Sequence, residues 1–251
     1  MADSRLRRYL YMQKRLIAIA VELKNHAPFT LFGAATGILC MLIFKDLHHD
    51  TSRVLFYVFH PAHVLLSAVV TAAMFKLHSV KRSFAVILAI AVTGSIGVAT
   101  LSDSLIPYAG EVLLGMKVDV HGHAGEDEHG RRTDEAKEGG GFVKDAHIGF
   151  VEAWYVVFPS AIIGTLIAYL RPRTKFPHAG HILLSTWASS FHMMMAFGDD
   201  VSPGRLAGSF VFLFLAVWLP CCFSDIVFPL LFVHSPDGSC CRHGGHKEAG
   251  Q

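Results

Sequence analysis

Long apolar runs limit what this 251-residue chain can become more than any motif within it. They fall at roughly 28–44, 54–77, 83–106, 147–170, 177–197 and 207–233, each near the ~20 residues that carry a helix across a ~30 Å hydrocarbon core. Inside hydrocarbon the backbone must satisfy its own hydrogen bonds, which makes a helix the expected form of each run. Composition agrees, since 52% hydrophobic residues, 17% charged residues and a mean hydropathy of +0.43 are more apolar than a soluble core requires. The expected fold is an all-α membrane protein with six transmembrane helices, its first partner the lipid bilayer.

One segment inside these runs is written twice. Phe59-His60-Pro61-Ala62-His63-Val64-Leu65-Leu66-Ser67 returns as Pro177-His178-Ala179-Gly180-His181-Ile182-Leu183-Leu184-Ser185. His63, Ser67 and Thr71 follow one another at i, i+4 and i+8, as do His181, Ser185 and Ser189, so each set lies along one helix face. Downstream, Ser102-Asp103 with Pro107 is matched by Ser224-Asp225 with Pro229. Upstream the echo is fainter, between Phe32–Gly37 and Phe158–Gly164. These matches indicate an internal duplication.

Charge gives the duplication an orientation. Basic residues cluster before the first run (Arg5, Arg7, Arg8, Lys14, Arg15), after the second (Lys76, Lys81, Arg82) and after the fourth (Arg171, Arg173, Lys175). With the N-terminus cytoplasmic, all three clusters fall on the cytoplasmic side. Residues 4–24 read as an amphipathic helix on the membrane surface. A unit of three spans ends on the face opposite its start, so the halves are expected to be inverted repeats, an architecture that sets substrate sites between the halves. The expected organisation is an N-terminal segment 1–27, a first three-helix repeat 28–107, a disordered His- and acid-rich loop 108–146, a second repeat 147–233 and a Cys/His-rich tail 234–251. The expected location is a bacterial inner membrane with both termini cytoplasmic. A net charge of +2, with its cations at span ends, implies no nucleic-acid partner. The oligomeric state is open, a homo-oligomer included.

Ionisable groups at membrane depth are costly, on the order of 2.5–3.5 kcal/mol each on insertion scales, and mark functional sites. Asp103 and Asp225 each precede a proline by four residues, and a proline donates no hydrogen bond to the carbonyl at i−4. A cation would satisfy both that carbonyl and the carboxylate. His60 with His63, and His178 with His181, are three apart and share a helix face. The expected metal ligands are therefore His63, Asp103, His181 and Asp225, with His60 and His178 beside them. Ser67, Thr71, Ser102, Ser185, Ser189, Ser224 and Glu152 are expected to line the pathway. Cys221 and Cys222 stand one turn before Asp225, where the first half has Ala99 and Thr100, an asymmetry that argues against thiolates in a shared site.

Residues 119–129 hold His121, His123 and His129 among acidic residues, and read as a metal-gathering loop. This loop resembles the histidine-rich segments of zinc transporters in the cation diffusion facilitator family, a resemblance confined to the loop.

Imidazole with carboxylate suits zinc, manganese, iron, cobalt or nickel. The function expected is a secondary transporter of such a divalent cation, exchanged for protons, with no organic cofactor. Topology sets His60, His63 and Asp103 toward one face and His178, His181 and Asp225 toward the other, which describes a path with ligands at two depths. The alternatives are a membrane-embedded metal-dependent hydrolase or oxidase, a bis-histidine haem or quinone protein, and a small-solute channel without metal.

Overall fold

The computed structural model describes residues 2–44, 49–79, 83–116, 148–172, 175–196, 202–223 and 228, and among them there are helices and no strands. In chain order these are α1 (Ala2–Ile43), α2 (His49–His78), α3 (Phe84–Thr100), a π-helical turn (Leu101–Leu105), α4 (Ile106–Leu113), α5 (Gly149–Glu152), α6 (Trp154–Leu170), α7 (Lys175–Ala196) and α8 (Pro203–Cys222). Among the described residues, four stretches are long and apolar enough to cross a bilayer, namely His26–Ile43, Asp50–Leu77, Phe84–Leu113 and Pro203–Cys221. α6 is apolar but has only 17 residues. α7 has 22 residues, with His, Ser and Thr interleaved among its apolar ones. The loop histidines His121, His123 and His129, the tail, and Ser224 and Asp225 lie outside the described residues.

Two elements differ from the expectation. The basic leader is not a separate surface helix but the first part of α1, which runs for 42 residues through Pro28. α8 holds it there, because Trp218 Nε1 donates to the Leu23 carbonyl at 2.9 Å. The third apolar stretch also continues past Pro107 to Leu113, since the π-helical turn before Pro107 lets the rod absorb the proline without ending.

α2 is the central helix, packed along α7, α6 and α3, while α1 packs on α7 and α8. α2 and α6 run parallel, as the successive contacts Arg53 with Glu152, Leu65 with Gly164 and Lys76 with Tyr169 require. α2 and α7 run antiparallel, with Phe56 against His192, Phe59 against Trp187 and His63 against His181. Lys76 closes one end of the bundle by donating to the Tyr169 carbonyl in the last turn of α6, its ammonium 4.7 Å from the Tyr169 ring centroid.

Polarity is distributed inside out. His60, His63, Ser67, Thr71, Asp103, His181, Ser185 and Ser189 are fully buried, while Phe32, Leu39, Ile43, Leu77, Leu113 and Leu170 are exposed. Apolar surface turned outward around a polar interior suits lipid as solvent, where polar groups gain most from facing one another. Small residues allow the helices to close on that interior. A Cβ added at Gly164 would stand 2.2 Å from the Leu65 carbonyl oxygen, a backbone atom that cannot rotate away.

Gly164→Ala should therefore push α6 off α2 and cost about 1–3 kcal/mol, read as a lower unfolding midpoint in detergent. Gly97→Ala, whose Cβ would meet nothing within 4 Å, should leave the midpoint unchanged or slightly raised. Equal effects at the two positions would contradict this packing.

Candidate functional site

The site begins with the proline. In an α-helix Pro107 would leave the Asp103 carbonyl without its donor, but the π-helical turn shifts the register by one, as the Ile106 N–H bonded to the Leu101 carbonyl shows. The carbonyl deprived by Pro107 is then that of Ser102. Ser189 of α7 supplies the missing donor, its Oγ 2.9 Å from the Ser102 carbonyl oxygen.

The turn also aims Asp103 at the interior, where four donors meet its carboxylate. His60 Nδ1 and His63 Nδ1 donate to Oδ2 at 2.9 and 2.7 Å. Ser102 Oγ and Ser185 Oγ donate to Oδ1 at 2.6 and 2.8 Å. A carboxylate offers about four lone-pair positions, so all are taken. Asp103, expected as a metal ligand, orients the groups around it in this structure. Of the serines expected along a pathway, Ser102 and Ser185 donate to its carboxylate and Ser189 to the Ser102 carbonyl.

Because a carboxylate accepts and does not donate, both imidazoles carry a proton on Nδ1 and turn Nε2 elsewhere. Neither Nε2 has a hydrogen-bond partner among the described residues, and both are buried. A histidine held through one nitrogen by a carboxylate, with the other nitrogen presented, is the usual arrangement of a metal-ligating imidazole. His63 stacks on His181, with ring centroids 5.8 Å apart and planes at 17°. Cys221 joins them, and one ligand atom from each of His63, His181 and Cys221 lies within 4.8 Å of the others, all three residues buried. An imidazole pair and a thiolate could hold a zinc-like ion with modest closing, given ligand distances of ~2.0–2.3 Å.

His63 and His181, expected toward opposite faces, instead stack on each other where α2 and α7 pack together. Facing rings at this distance do not suit haem, whose axial nitrogens must point at each other across the macrocycle. His178 lies one turn before His181 on α7, its side chain outside the described part. Ser67 and Thr71 are buried on α2, Thr71 beside Gly94 of α3. Glu152 is at the end of α5, 3.7 Å from Arg53.

Three residues were missed or set aside by sequence reasoning. Cys221 was discounted for lacking a counterpart in the first half. Glu111 and His192 form a second buried carboxylate–imidazole pair, Oε1 to Nδ1 at 2.8 Å. His192 extends the stripe of His181, Ser185 and Ser189 by one more turn, a signal the pattern already contained. Glu111 fell beyond the expected end of its span.

Comparison with protein-family models, with curated proteins and with solved structures finds no match for this chain.

Ser189→Ala should cost about 1–3 kcal/mol by orphaning the Ser102 carbonyl. In a Pro107→Ala background, where a backbone N–H returns, the same change should cost less. Equal costs in a double-mutant cycle by detergent unfolding would show that Ser189 is not the substitute donor.

Proposed function

We propose that the chain is a secondary transporter of a divalent transition-metal cation, carried as substrate at an intramembrane centre of His63, His181 and Cys221. One observation carries this reading. The duplicated histidine meets its own duplicate, in the interior, beside a thiol. Two residues equivalent in two repeats touch each other where a twofold axis passes between them, which is where transporters built from inverted repeats hold their substrate.

The packing supports the same symmetry. Exchanging the halves turns the parallel contact of α2 with α6 into that of α7 with α1, where Gly33 meets Thr186 and Gly37 meets Ser190. Ala68 and Thr186, each five residues after its repeat histidine, both face glycines of the other half, Gly164 in one case and Gly33 with Gly37 in the other. Six spans, as two inverted three-helix units with both termini cytoplasmic, complete the proposal.

The donor set narrows the substrate. Thiolate with imidazole favours zinc or cobalt over manganese and iron, and disfavours magnesium and calcium. Metal binding requires neutral imidazoles and a deprotonated thiol, so the ion exchanges with at least one proton. A metal-dependent hydrolase or oxidase would also use a single centre. Against it, the one carboxylate that the described residues set beside His63, that of Asp103, already accepts from four donors, and both rings are fully buried.

In proteoliposomes loaded with a zinc-sensitive dye, His181→Gln and Cys221→Ser should lose most of the zinc influx. Asp103→Asn should do the same, because an amide cannot accept from two imidazoles and two serines together. Replacing His121, His123 and His129 together with Ala should lower influx only modestly, since hydrated loop ligands gather ions without holding them in a low-dielectric site. Equal loss from the loop variant, or no influx with the wild-type chain, would overturn the proposal.

A further inference from the structure

His60 is not among the three residues of the central cluster, yet it presents the same chemistry as His63. Its Nδ1 is fixed on the same Asp103 oxygen, and its buried Nε2 has no hydrogen-bond partner among the described residues. Burying a polar nitrogen this way is unfavourable unless something completes it. The backbone itself packs close to that nitrogen. Gly149, at the start of α5, passes over the ring so closely that a Cβ there would stand 2.7 Å from His60 Cδ2 and 2.9 Å from Nε2. Phe56 stacks on the same imidazole, with centroids 5.3 Å apart.

These residues follow one face of α2. Arg53, Phe56, His60 and His63 are spaced i, i+3, i+7 and i+10, from the partly exposed Arg53–Glu152 pair inward to the buried centre. We propose that His60 Nε2 is a transfer ligand, which takes the cation from the α5 end of the bundle and passes it to His63, His181 and Cys221. The inference rests on the transporter reading and assigns His60 a kinetic role distinct from that of the central ligands. Asp103 then serves two imidazoles at once, holding one for transit and one for residence.

Two amide substitutions separate this role from a merely orienting one. His60→Asn places an amide N–H near the Nδ1 position, keeping the hydrogen bond to Asp103 and removing Nε2. His60→Gln reaches toward the Nε2 position and loses the Nδ1 donor. Zinc binding at equilibrium would be measured on the full chain in detergent, and zinc influx in dye-loaded vesicles. For His60→Asn, binding should stay within about twofold of wild type while influx falls about tenfold. Gly149→Ala, which crowds the imidazole at Nε2 and removes no ligand atom, should show the same split.

Wild-type influx in His60→Asn together with impairment in His60→Gln would overturn the inference and leave His60 as an orienting group. Loss of equilibrium binding in His60→Asn would overturn it too, by making His60 part of the central site. A wild-type chain that binds no zinc would overturn the transporter reading itself.

Discussion

A carboxylate at the middle of an apolar bundle has to be saturated with hydrogen bonds, and the arrangement around Asp103 follows from that requirement. Its four donors come from α2, from its own π-helical turn and from α7. Removing one partner from a buried charged network typically costs about 3–5 kcal/mol, so the three elements are held in one register. That register sets the depth of His63 against His181 and turns Nε2 of His60 and His63 away from the carboxylate. The π-helical turn is what makes the aim of Asp103 compatible with Pro107, and Ser189 compensates the carbonyl that the turn displaces.

The duplication acquires a physical role at this point. Two copies of a polar stripe in separate soluble domains would each need a core of their own. Packed antiparallel in one bundle, they serve each other, Ser185 of the second copy donating to Asp103 of the first half and Ser189 to the Ser102 carbonyl. The sequence repeat is not complete, because Cys221 has no equivalent thiol in the first half.

Much of this was legible from residue spacing. The i, i+4, i+8 stripes named the buried faces of α2 and α7, and the Asp–Pro spacing located the place where the backbone needs help. What spacing does not carry is the crossing point of two helices, and so His63 and His181 were expected at different depths although their rings stack. The third apolar run was expected to end at 106. The π-helical turn carries the helix past Pro107 and brings Glu111 into the bundle, where it pairs with His192. Cys221 illustrates a different limit, since arguing from the repeat discards whatever the repeat does not share.

The central claim is that two imidazoles from equivalent positions and one thiolate form a single cation site within the membrane. Zinc X-ray absorption on the full chain reads that donor set directly. The account predicts one sulfur at about 2.3 Å and two imidazole nitrogens at about 2.0–2.1 Å, with the sulfur shell lost in Cys221→Ser. A shell of oxygen and nitrogen alone in the wild-type protein, or a sulfur shell that persists without Cys221, would contradict it.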